Sequence, residues 1–108
     1  MNQDRGHRGH KDLQVCRQVF DALTYALAEI DDPVIDDLVL VSVTPAPNAA
    51  RVQVNLVPAN AGVDREAALA RLTEVAADLR AEVAAELTRK RVPELVFQLG
   101  PHGPGGAV

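Results

Sequence analysis

The chain has 108 residues, 47% of them apolar and 24% charged, with a net charge of −4, so it can bury one modest core and builds a single domain. No apolar run approaches the ~20 residues that cross a bilayer, and the opening Met1-Asn2-Gln3-Asp4-Arg5 is polar, which predicts a cytoplasmic protein without membrane contact. One cysteine, Cys16, allows no internal disulfide, and the acidic balance excludes a simple electrostatic binder of nucleic acid unless positive charge is segregated along the chain.

Segregation is what the sequence has. Residues 1–20 carry a net +2 and residues 89–108 another +2, whereas residues 21–40 carry six acids and no cation. Residues 1–10, with Gly6, Gly9, His7 and His10 and no apolar period, predict a flexible arm ahead of a domain spanning 11–99. From Asp12 onward, Leu13, Cys16, Phe20, Leu23, Leu27 and Ile30 recur at steps of three and four, the period of one helical face. That helix should stop at Asp31-Asp32-Pro33, because proline removes a donor and pushes the residue before it out of the α region.

Leu38–Val43 is a run rich in β-branched residues and reads as a strand buried on both faces. Pro45-Ala46-Pro47-Asn48 turns the chain, and Arg51–Leu56 alternates polar and apolar residues as a half-buried strand, so the pair should form an antiparallel hairpin. Asp64 is placed to cap a helix of about 24 residues with Ala68, Leu72, Val75, Ala76, Leu79, Val83 and Leu87 along one face, long enough for a bend near its middle. Arg89-Lys90-Arg91 then lie near the negative end of the helix dipole, and Pro93 forbids continuation, so Leu95–Leu99 closes the domain as a last strand. Residues 100–108, rich in glycine and proline, read as a flexible tail.

This order predicts an α+β protein: helix, strand, strand, helix (or two helices), strand, with a three-stranded sheet carrying its helices on one face. A phosphate-cradling loop is excluded, since Gly62 is the only glycine between residues 10 and 99 and Lys11 and Lys90 are the only lysines. No catalytic set is visible: the one serine, Ser42, sits mid-strand and Cys16 lies on an apolar helical face. Asp31, Asp32, Asp36 and Asp37 read as a solvated capping loop and His7 and His10 as surface histidines, so neither a metal nor another cofactor is expected. With only Phe20, Tyr25 and Phe97 as aromatics, base stacking on an aromatic platform is not expected either.

The motif Arg91-Val92-Pro93-Glu94-Leu95-Val96-Phe97, placed after a helix at the end of a small α/β domain, resembles the closing signature of the bacterial ribosome-binding factor A family. The resemblance runs from about Lys11 to Leu99 and includes Asp32-Pro33 and Leu79-Arg80-Ala81-Glu82-Val83. It implies a type II K-homology-like domain and a non-enzymatic, monomeric assembly factor that binds the immature small ribosomal subunit through its ribosomal RNA and supports late processing of that RNA. The family kinks its long helix at an Ala-x-Gly triplet; here the aligned residues are Val75-Ala76-Ala77, without the glycine. Charge distribution together with this resemblance points to Lys11, Arg17, Arg80, Arg89, Lys90 and Arg91 as RNA phosphate contacts. The alternative reading is a non-catalytic protein-interaction module, or a homodimer, acting through the sheet's two exposed edges.

Overall fold

The computed structural model describes residues 2–46, 50–87 and 92–101, with side chains from Leu13 onward. Helix α1 spans Asn2–Glu29, a short α2 spans Pro33–Asp36, strand β1 spans Leu38–Pro45, β2 spans Arg51–Pro58, α3 spans Arg65–Glu86, and β3 spans Glu94–Leu99. The sheet order is β1-β2-β3. β1 and β2 pair antiparallel as a hairpin, and β2 and β3 pair parallel, with α3 as the crossover between them.

One face of the sheet carries the core. Val52, Val54 and Leu56 of β2 are buried, and Leu99 of β3 beside them. Helix α3 covers them with Ala68, Leu72, Val75, Leu79 and Val83, and α1 adds Val15, Cys16, Val19, Ala22, Leu23 and Ala26. The other face holds Ser42, Thr44, Gln53 and Asn55, where the Asn55 amide donates to Ser42 Oγ at 3.0 Å and the Gln53 amide donates to Asn55 Oδ1 at 2.7 Å. An Arg51–Glu94 pair at 2.9 Å closes that face at one end.

Five expectations change, the last of them at α2. First, the helical backbone begins at Asn2, ahead of the start near Asp12 that the apolar period gives. Once a helix exists, each added residue contributes a hydrogen bond without a new nucleus, so extension needs no apolar stripe. Second, the stripe predicted for α1 is only partly the buried one: Cys16 and Leu23 are buried together with Val15, Val19, Ala22 and Ala26, whereas Leu13, which shares the predicted period, is 64% exposed. Third, β1 is an edge strand whose Val39 and Val41 face solvent, because helices cover only one side of the sheet; its register also shifts between Leu40 and Ser42, a bulge that leaves Val41 unpaired. Fourth, α3 is an unbroken α-helix through Val75-Ala76-Ala77. Alanine, the strongest helix former, stands where a glycine would weaken the ladder.

Helix α2 arises where a capping loop was expected. The Asp32 carboxylate accepts from the Val34 N–H at 2.8 Å, Pro33 occupies the first helical position, and Ile35 is buried. The same carboxylate pairs with Arg71 of α3, which also reaches Glu74 at 2.7 Å, so one acid both starts α2 and ties it to α3. The Arg71 guanidinium, helped by the Val34 N–H, holds the Asp32 carboxyl below its ordinary value against the opposing effect of desolvation. A lowered folded-state value means the stabilisation is complete above the unfolded value near pH 4 and disappears as pH falls through the folded one. Asp32→Asn keeps a good cap but removes the charge, so it should melt below the wild type at neutral pH, and the gap should close in acid. Thermal melts across pH check this; a gap independent of pH would remove the ion pair from the explanation.

Candidate nucleic-acid interface

The charged side chains divide by what they hold. Arg65, at the start of α3, donates from Nη1 to the Gly100 carbonyl at 2.6 Å and from Nη2 to the Leu99 carbonyl at 2.7 Å. Arg80, about four turns further on, donates from Nη2 to the Val92 carbonyl at 3.0 Å and from Nε to the Pro93 carbonyl at 3.4 Å. These two arginines tie α3 to both ends of β3. Arg51 and Arg71 are paired with carboxylates. Among the described residues Arg17 alone of the arginine side chains has no hydrogen bond or ion pair, and it stands exposed on α1.

The residues expected to contact RNA are therefore not equivalent. Arg80 anchors the segment leading into β3, which leaves only part of its guanidinium for a phosphate. Arg17 belongs to the β1 side of the sheet, where it borders a cleft between α1 and β1. Since β1 and β3 are opposite edges, the fold does not bring Arg17 and Arg80 together. Lys11 lies on the helical backbone of α1, and its side chain is outside the described residues, as are Arg89, Lys90 and Arg91 altogether. Sequence reasoning missed Arg65 and the clasping role of Arg80, because a guanidinium holding backbone carbonyls leaves no mark in charge pattern or period.

The surroundings restrict where a polyanion can lie. A groove between α1 and α3 presents Glu29, Asp78 and Glu82, and another presents Asp21 and Glu86 beside Tyr25, so both repel phosphate. The polar sheet face carries neutral amides and hydroxyls with its one arginine already paired. The β3 edge differs. Glu94 and Gly100 turn their N–H groups to β2, so the alternate residues Leu95 and Phe97 direct theirs to the open side. Among the described residues no group of three or more His, Cys, Asp or Glu can hold a metal ion, and no helix is long and apolar enough to cross a membrane.

An amino-terminal helix and hairpin, a long crossover helix and a parallel closing strand define the class: an α+β protein with the type II K-homology-like fold. More narrowly, the fold is that of solved ribosome-binding factor A structures. The crystal structure of the Thermus thermophilus protein superimposes with a TM-score of 0.70 at 22% identity, covering 82% of this chain and 94% of the other. A second Thermus thermophilus structure, a homology model fitted into an electron cryo-microscopy map of its complex with the 30S subunit, gives 0.61 at 24% identity, covering 84% and 92%. A Thermotoga maritima protein proposed to be a ribosome-binding factor A, solved by NMR, gives 0.59 at 15% identity, with 82% of each chain covered. At these identities the likeness is one of fold, and at that level the resemblance read from the sequence is borne out. No family model matches the sequence, and no curated protein sequence matches it.

Proposed function

We propose that this protein is a ribosome-binding factor A: a cytoplasmic, monomeric, non-enzymatic factor that binds the immature small ribosomal subunit through its ribosomal RNA and supports late maturation of that RNA. The observation that carries this reading is the end-to-end likeness of fold to the Thermus thermophilus protein, one structure of which was fitted into the map of a 30S complex. The chemistry agrees with binding as the mode of action. With no phosphate loop and no catalytic set in the sequence, the protein would act by favouring one RNA conformation over its competitors. Its working surface is the β3 side, where the segment bearing Arg89, Lys90 and Arg91 joins the strand.

The test is sedimentation of cell extract together with the processing state of small-subunit RNA. The protein should travel with free small subunits, leave them as salt rises, and be absent from mature ribosomes. A deletion strain should accumulate small subunits with unprocessed RNA, more so in the cold. Normal RNA in the deletion strain, with no co-sedimentation in the wild type, overturns the reading.

A further inference from the structure

The two edges of the sheet are finished differently. At β3, Arg65 and Arg80 occupy carbonyls at both ends of the strand. Among the described residues no arginine donates to a β1 carbonyl. The Ala46 N–H bonds to the Arg51 carbonyl and the Ala59 N–H to the Asp37 carbonyl, each at 2.8 Å, which fixes the phase of the hairpin ladder. In that phase Leu38, Leu40 and Val43 turn their backbone N–H and C=O groups away from β2, toward the free edge.

An open cleft of about 670 Å³ lies between that edge and α1, bounded by Leu13, Arg17 and Phe20 on the helix and Val41, Ser42 and Val43 on the strand. Leu13 and Val41, 64% and 53% exposed, are the two most exposed large aliphatic side chains among the described residues, and both are here. Arg17, the arginine whose guanidinium holds nothing among the described residues, is here as well. Unpaired strand groups, exposed aliphatics and an uncommitted cation meet at one place, and each asks for a different part of the same ligand.

That ligand is an extended peptide. A nucleic acid would find a single cation, Arg17, and no exposed aromatic in the cleft, where Phe20 is half-buried. A second copy of this chain would set one bulged edge against another, and the twist of a bulge opposes long edge-to-edge pairing. We propose that the α1/β1 cleft binds an extended segment of a protein partner that adds as a short strand to β1, seats β-branched or leucine side chains against Leu13, Phe20 and Val41, and places a carboxylate on Arg17. This site is on the opposite edge from the proposed RNA surface and does not rest on the ribosomal reading.

The experiment is selection from a random peptide display library on the wild-type protein, Val41→Lys and Arg17→Glu, with thermal melts confirming that both variants fold. Both positions are exposed, so the fold should survive. Wild type should enrich peptides with an acidic residue flanked by valine, isoleucine or leucine. The affinity of an enriched peptide should fall about tenfold or more on either variant, and Arg17→Glu should shift the selected charge from acidic to basic. The proposal is overturned if nothing is enriched, if Val41→Lys enriches the same peptides, if the selected charge ignores Arg17, or if poly(U) RNA displaces the peptide. A wild-type dimer in sedimentation that Val41→Lys dissociates would also overturn it, in favour of a second copy.

Discussion

Leu79→Ala should lower the unfolding free energy by about 2–5 kcal/mol, a large share of the ~5–15 kcal/mol that separates a native domain from its unfolded chain. Leu79 is 1% exposed on the face of α3 that also buries Leu72, Val75 and Val83, where removing a side chain leaves a cavity that a β-sheet and two helices cannot close. Leu72→Ala should behave alike. Leu13→Ala, at a site that follows the apolar period but stands in solvent, should stay within about 0.5 kcal/mol. Urea unfolding of the three variants separates them. Equal losses at Leu13 and Leu79 would mean that Leu13 is buried, contrary to the structure.

The contrast between Leu13 and Leu79 marks where the sequence is legible. Elements were readable because local signals agree: Asp64 caps α3 and accepts from the Ala67 N–H at 3.1 Å, Pro33 stops α1, and the alternation of Arg51–Leu56 matches the buried Val52, Val54 and Leu56. Faces were less readable. A helix of twenty-eight residues holds more than one plausible stripe, and the small residues Ala22 and Ala26 are buried although a hydropathy pattern ranks the partly buried Leu27 and Ile30 above them. The edge position of β1 was not readable, since strand order depends on contacts far apart in sequence, and a run of β-branched residues looks alike at an edge and at the centre.

The candidate site was legible in charge but not in commitment. Counting cations grouped Arg17 with Arg80. The fold separates them, one uncommitted at the β1 edge and one clasping the carbonyls before β3. A guanidinium can serve a phosphate or a backbone carbonyl with the same donors, and only geometry distinguishes the two uses.

The largest functional loss is expected from replacing Arg89, Lys90 and Arg91 together by alanine. Arg51, Arg65, Arg71 and Arg80 already hold carboxylates or carbonyls, so the proposed phosphate contact is assigned to this cluster, whose residues precede β3 in the sequence. Each lost phosphate contact should remove roughly 0.7–0.9 from the slope of log affinity against log salt, so the variant should bind small subunits more weakly and with much flatter salt dependence. Its melting curve should stay close to the wild type, because substitutions of charged residues away from core, cap and buried polar positions usually change stability by no more than about 0.5 kcal/mol each. Arg80→Met is the matched control. It removes two hydrogen bonds to the segment entering β3, each worth about 1 kcal/mol net, so it should lower stability while changing the salt slope little. If the triple variant keeps its affinity and slope while Arg80→Met loses both without melting earlier, the phosphate contact belongs to Arg80 and not to the cluster.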